Sequence, residues 1–72
     1  MYPNLRAEMA RWNVSTTDFS SVVGKTERSI RDKISGRGDF TLTEIITIRD
    51  AFFPGQSIDY LFERLDAVRN SA

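Results

Sequence analysis

The sequence predicts an all-α protein made of five helices. Apolar residues recur at spacings of three and four along most of the chain, which is the period of one helix face. Ser, Thr or Asn stands before each of these stretches, where a helix needs an N-terminal cap, and no strand pattern or internal repeat interrupts them. The 72 residues fit one domain, 1–72, near the lower size limit for folding on a single apolar core.

The first predicted helix follows Asn4, which can cap it. Leu5, Met9 and Trp12 then fall on one face. The simplest interpretation places all three side chains in the core. The alternative for Trp12 is a contact on the protein surface.

The next two predicted helices are short and lie within residues 16–35. Ser15 and Asp18 form a variant of the capping box at the start of the first. Gly24 can adopt positive φ and allow a sharp turn, after which Thr26 can cap the second helix. The expected buried positions are Phe19, Val22, Val23, Ile30 and Ile34.

The fourth predicted helix begins with a capping box formed by Thr41 and Glu44 and ends before Pro54 and Gly55. Its spacing directs four apolar side chains inward: Leu42, Ile45, Phe52 and either Ile46 or Ile48.

The last predicted helix is capped by Ser57. Its apolar positions are Ile58, Leu61, Phe62, Leu65 and Val68. An exposed part of this helix, near Tyr60, Phe62 or Leu65, is the expected place for weak self-association. The alternative is that these side chains simply close the core, as so small a domain requires.

The composition excludes several classes of function. Without Cys or His, the chain has no thiolate or imidazole for metal binding and no usual nucleophile and base pair, so we expect no enzyme, metal or cofactor. Gly24-Lys25-Thr26 matches only the end of a nucleotide-binding loop, because Phe19 stands where that loop needs glycine. No apolar run approaches the roughly 20 residues of a membrane span, and no signal peptide is present, so we expect a cytoplasmic protein.

The charge is zero overall but unevenly distributed. Residues 1–38 contain seven Lys/Arg and four Asp/Glu, whereas residues 39–72 contain three and six, giving +3 and −3. The basic half includes the two short helices, as nucleic-acid binding would require.

The stretch 16–35 resembles the helix-turn-helix of the phage Cro and lambda-repressor superfamily. Ser20 stands where the two helices cross, Gly24 at the turn and Ile30 where the second helix meets the core. The resemblance continues through GRGDFTLTEIITIRDAFFPG and SIDYLF, and it implies a compact five-helix lambda-repressor-like DNA-binding domain. Lys25 and Lys33 depart from the family pattern, which more often has apolar residues there, and Thr16 replaces a frequent glutamine.

In such a family the second helix of the motif lies in the major groove. With Ile30 and Ile34 inward, the side chains expected to face the bases are Glu27, Arg28, Arg31 and Asp32. The expected phosphate contacts are Thr16, Thr17, Lys25, Thr26, Lys33 and Arg37. The alternative is an ordinary solvated charged face.

The resemblance implies two functions. The first is a Cro-like transcriptional regulator that binds double-stranded operator DNA in a lysis–lysogeny switch, within the bacterial host cell. The second follows from similarity to the small modulator-of-repression proteins of lactococcal temperate phages: binding to the lysogenic repressor in a hetero-complex. The acidic residues Glu27 and Asp32 and the zero net charge favour the second function. Neither function needs a small-molecule substrate.

Overall fold

The computed structural model describes residues 2–64, which form five helices and no strand. These are α1 (Pro3–Arg11), α2 (Thr16–Val23), α3 (Glu27–Ile34), α4 (Leu42–Phe52) and α5 (Ile58–Leu61). α2 packs against α3 and α4, and α5 packs against α1 and α4. The predicted all-α class is confirmed for this part of the chain, and none of its helices is long and apolar enough to cross a membrane.

Local cap chemistry sets where most helices begin. The Ser15 hydroxyl accepts the Asp18 N–H at 3.2 Å, and the Asp18 carboxylate accepts the Ser15 N–H at 2.9 Å. Thr41 and Glu44 make the same reciprocal pair at the start of α4, with distances of 3.2 and 2.9 Å. Ser57 caps α5. Both predicted capping boxes are confirmed.

The predicted Asn4 cap is wrong. α1 begins at Pro3, whose fixed φ suits the first helical position and whose missing N–H would have no helical partner there. Asn4 therefore lies inside the helix. Its side-chain amide donates to the Tyr60 carbonyl oxygen at 2.9 Å, which joins α1 to α5.

All five helices contribute side chains to one core. Phe19, Leu5, Ile30, Ile48 and Leu61 are completely buried. Phe53 and Phe52 pack against Phe19, with ring centroids 6.3 and 5.5 Å apart. The remaining buried apolar residues are Tyr2, Ile34, Phe40 and Phe53. Ile48 rather than Ile46 faces inward on α4, which decides between the two predicted positions.

Three residues expected in the core are exposed. Trp12, Val22 and Leu42 expose 59%, 42% and 67% of their surface. Trp12 follows the last helical residue of α1, so the helical spacing no longer sets its direction. Leu42 is the first residue of α4, one turn before the helix reaches the core at Ile45 and Ile48.

Two carboxylates occupy buried positions that the apolar pattern missed. Glu8 on α1 accepts the Trp12 indole N–H at 3.1 Å and the Tyr60 hydroxyl at 2.9 Å. The two carboxylate oxygens of Glu44 on α4 each accept a hydrogen bond from the Lys33 ammonium. Each acid is therefore hydrogen-bonded, as buried charge requires, and each links two helices.

The last helix is shorter than its apolar spacing predicted. α5 ends at Leu61, and Phe62 lies beyond it, so its placement in that helix is wrong. The Phe62 ring instead packs edge-on against Tyr2 and Phe40, with centroids 5.8 and 5.4 Å apart. Leu65 and Val68, also predicted for this helix, lie outside the described residues.

Candidate functional site

The α2–α3 pair is held by its turn. Gly24 ends α2 with φ +80°, a left-handed conformation that glycine adopts without strain. The Ser20 hydroxyl donates to the Lys25 carbonyl oxygen, which ties α2 to the turn. Thr26 then caps α3, its hydroxyl accepting the Ser29 N–H at 3.1 Å. The predictions for Gly24 and Thr26 are confirmed.

Helix α3 has one buried side and one exposed side. Ile30 and Ile34 are buried and anchor the helix to the core. The opposite side, which we call the α3 surface, consists of Glu27, Arg28, Arg31 and Asp32. The first three are exposed and Asp32 is half-buried. The structure therefore brings together all four residues predicted to face a partner.

The acids of the α3 surface are both next to arginines. Arg31 Nη1 lies 3.5 Å from Glu27 Oε1, and Arg37 Nη1 lies 3.6 Å from Asp32 Oδ1. All four side chains are more than 40% exposed, and such pairs contribute little to stability in water. The two arginines can thus exchange these acids for an external anion at small cost. Arg28 makes no ion pair with any residue of 2–64.

Five of the six residues predicted to contact phosphate lie outside α3, and the sixth, Lys33, lies within it. Thr16 and Thr17 lie in the first turn of α2, and Lys25 and Thr26 form the exposed turn between α2 and α3. Arg37 is exposed after α3.

Lys33 does not join them. Its side chain is only 16% exposed, and its Nζ lies 2.9 and 2.8 Å from the two carboxylate oxygens of Glu44. The structure thus places Lys33 in an internal ion pair between α3 and α4, where it is less accessible to a phosphate than the prediction assumed. A sequence pattern gives no sign of this, because its partner lies eleven residues away.

A cleft of about 550 Å³ opens between α1 and α3. Arg6, Arg31 and Arg37 line it, together with Thr16 and Asp32. Met9 and Ile34 contribute its apolar part. Arg6 is not among the residues predicted from the sequence to contact DNA, and it lies on a different helix from all of them. Only the tertiary fold, in which residues of α1 and α3 border the same cleft, brings its charge to this place.

The expected self-association surface is largely engaged within the molecule. Tyr60 is 37% exposed, but its hydroxyl donates to Glu8. Phe62 is half-buried against Tyr2 and Phe40. Leu65 lies outside the described residues.

The chemistry available at this site is recognition by charge and hydrogen bonding. Within residues 2–64, no three acidic side chains come close enough together to hold a metal ion. Models of known families, curated proteins and solved structures yield no match to the chain.

Proposed function

We propose that the chain is a small transcriptional regulator in which α2, the turn at Gly24 and α3 act as a helix-turn-helix. In this proposal α3 enters the major groove of operator DNA, in the manner of phage Cro proteins. The regulator would occupy a promoter of a lysis–lysogeny switch. The proposal extends the lambda-repressor-like resemblance of residues 16–35 to function.

The observation that carries the proposal is the two-sided construction of α3. Its buried isoleucines and the Thr26 cap fix the helix, while Arg28 and Arg31 remain exposed on the other side. A guanidinium can donate two parallel hydrogen bonds to guanine O6 and N7, and each such pair contributes roughly 1–3 kcal/mol of discrimination. Arg28 is the stronger candidate for this role, since no acid in the described chain competes for it.

Phosphate contacts on both sides of α3 would hold the helix in the groove. Lys25 and Thr26 lie at its N-terminal end, and Arg37 lies beyond its C-terminal end. Thr16 and Thr17, in the first turn of α2, present hydroxyl groups beside unpaired backbone N–H groups. Lys33 has no part in this proposal because of its pairing with Glu44.

A second candidate is supported by the ion pairs of the α3 surface. Arginines alternating with Glu27 and Asp32 suit a protein partner that has both charges, whereas DNA offers phosphates that repel the two acids. In this alternative the chain modulates repression by binding the lysogenic repressor of the same phage. The same α3 surface would then face a protein.

The test is a gel-shift titration on the promoter region of the parent genome. It compares that duplex with a scrambled duplex at about 50 and about 200 mM salt, with and without the neighbouring repressor. Binding of the chain alone to the promoter duplex, weakening steeply with salt, is the expected result. If the chain shifts neither duplex but alters the shift produced by the repressor, the DNA proposal fails and the modulator proposal replaces it.

A further inference from the structure

The cleft between α1 and α3 has a composition that suits one class of ligand. Its lining residues include three arginines: Arg6 of α1, Arg31 of α3 and Arg37 just after α3. Thr16 belongs to the same lining. Guanidinium groups bind phosphate oxygens through paired hydrogen bonds, and a hydroxyl can donate one more.

Of the three arginines that line the cleft, Arg6 is the one without an ion-pair partner among residues 2–64. Arg31 and Arg37 each have an acid within 4 Å, namely Glu27 and Asp32. Arg6 forms no ion pair with any residue of 2–64, and it is exposed. The cleft therefore has excess positive charge, and that excess comes from α1.

We propose that this cleft is a phosphate-binding site and that Arg6 is the residue of α1 that completes it. Arg31 belongs both to the α3 surface and to the cleft lining. A duplex seated on α3 would thus bring a backbone phosphate to the cleft, and Arg6 would contact that phosphate from the side opposite α3. The identification of the phosphate as DNA backbone rests on the proposed function; the phosphate chemistry of the cleft does not.

Asp32 is the one acid of this lining, and its position is compatible with the proposal. Its carboxylate lies beside Arg37, so the repulsion of a bound phosphate is reduced by that neighbouring charge. Met9 and Ile34 supply apolar surface in the same lining.

The first arm of the test uses inorganic pyrophosphate and the free protein. Backbone amide NMR shifts of Thr16 are followed during titration, with sodium chloride at equal ionic strength as the reference. The variants are Arg6→Gln and the matched control Arg11→Gln, which removes an exposed arginine of the same helix that does not line the cleft. We expect saturable shifts in the wild type and in Arg11→Gln, and binding about tenfold weaker in Arg6→Gln.

The second arm uses the promoter duplex and the scrambled duplex. The slope of log K against log salt is negative, and loss of one phosphate contact reduces its magnitude by about one, equally on both sequences. We expect this for Arg6→Gln and not for Arg11→Gln. Both variants change exposed side chains, and an unchanged melting temperature verifies that each is folded.

The outcomes separate the two proposals. Arg6-dependent pyrophosphate binding without any DNA binding supports a site for a free phosphorylated ligand and overturns the proposed function. DNA binding with an Arg6-dependent salt slope supports the backbone as the source of the phosphate. DNA binding that Arg6→Gln leaves unchanged, with no pyrophosphate binding, overturns the cleft while the proposed function stands. If the chain binds neither pyrophosphate nor DNA, the cleft proposal is overturned.

Discussion

Lys33 Nζ lies 2.8 Å from Glu44 Oε2 and 2.9 Å from Oε1, with the two side chains only 16% and 7% exposed. This ion pair joins α3 to α4. Glu44 also accepts the Thr41 N–H, so one carboxylate both caps α4 and anchors α3. The pair therefore affects the position of any residue that α3 presents to a partner.

Replacing Lys33 with Met leaves the Glu44 carboxylate buried without its cation. We expect the free energy of unfolding to fall by about 3 kcal/mol, because breaking one side of a buried pair is strongly destabilising. Urea unfolding followed by fluorescence of the single tryptophan measures it. The matched control, Arg28→Met, removes an exposed cation that forms no ion pair with residues 2–64 and should change stability by less than about 0.5 kcal/mol.

The double variant Lys33→Met, Glu44→Gln removes both charges and keeps an acceptor for the Thr41 N–H. It should recover most of the lost stability. Equal losses in the single and the double variant would mean that the charge pairing is not what stabilises this contact.

Acidification should weaken the same contact. Burial acts to raise the pKa of Glu44, but hydrogen bonds from Lys33 and the Thr41 N–H, with the charges of Lys33 and Lys25, outweigh it, and the pKa lies below its ordinary value of 4.5. The folded protein thus binds this proton more weakly than the unfolded chain. Its contribution to stability is complete above the unfolded pKa and is lost as pH falls through the folded pKa.

We therefore expect the stability difference between the wild type and Glu44→Gln to be constant from about pH 7 to pH 5 and to shrink below about pH 4. Urea unfolding at a series of pH values measures this difference. A difference that persists unchanged at the acid end would rule out Glu44 ionisation as its source.

Local chemistry explains what the sequence could predict. The capping boxes at Ser15 and Thr41 and the left-handed Gly24 depend on neighbours within a few residues, so they can be identified from the sequence alone. The burial of Glu8 and Glu44 could not be identified in this way. Hydrophobic periodicity treats a carboxylate as exposed, and the partners that permit burial, Tyr60 for Glu8 and Lys33 for Glu44, are distant in the chain.

The residues of the candidate site likewise include some that the sequence could predict and some that it could not. The four residues of the α3 surface followed from the inward direction of Ile30 and Ile34. The role of Lys33 did not, because helical phase says only that it is near the boundary between the buried and exposed sides. Arg6 joins the cleft because residues of α1 and α3 border it together in the fold, and no spacing within one helix contains that information.

The turn between α2 and α3 should be sensitive to a single methyl group. A Cβ at Gly24 meets no atom within 4 Å, but φ is +80°, so Gly24→Ala introduces backbone strain of about 1–2 kcal/mol without a steric clash. Gly55→Ala is the matched control, since that position also has open space and lacks a left-handed φ. It should be neutral or slightly stabilising. Thermal unfolding by circular dichroism compares the two, and equal melting temperatures would argue against strain at the turn.

Arg28→Ala should strongly weaken binding to the main partner while preserving the fold. Arg28 is exposed and makes no ion pair with any residue of 2–64, so its removal has little effect on stability. Loss of a bidentate base contact should weaken operator binding by roughly 1–3 kcal/mol and reduce discrimination against the scrambled duplex. Gel shifts with DNA, and binding to the repressor, are measured beside Arg11→Ala as control. Unchanged binding to both partners would disprove the assignment of the α3 surface.

Glu27→Gln distinguishes the two proposed functions. The substitution removes a negative charge 3.5 Å from Arg31 and frees that guanidinium. If DNA is the partner, affinity for the scrambled duplex should increase, because one repulsion of phosphate is lost and one cation is gained. If a repressor surface is the partner, the same change removes a carboxylate that can pair with the partner's cations, so that affinity should fall and the salt dependence of association should weaken. Titrating both partners with wild type and variant measures the opposite signs directly, and a change of the same sign for both would show that Glu27 acts through the folded chain rather than through either interface.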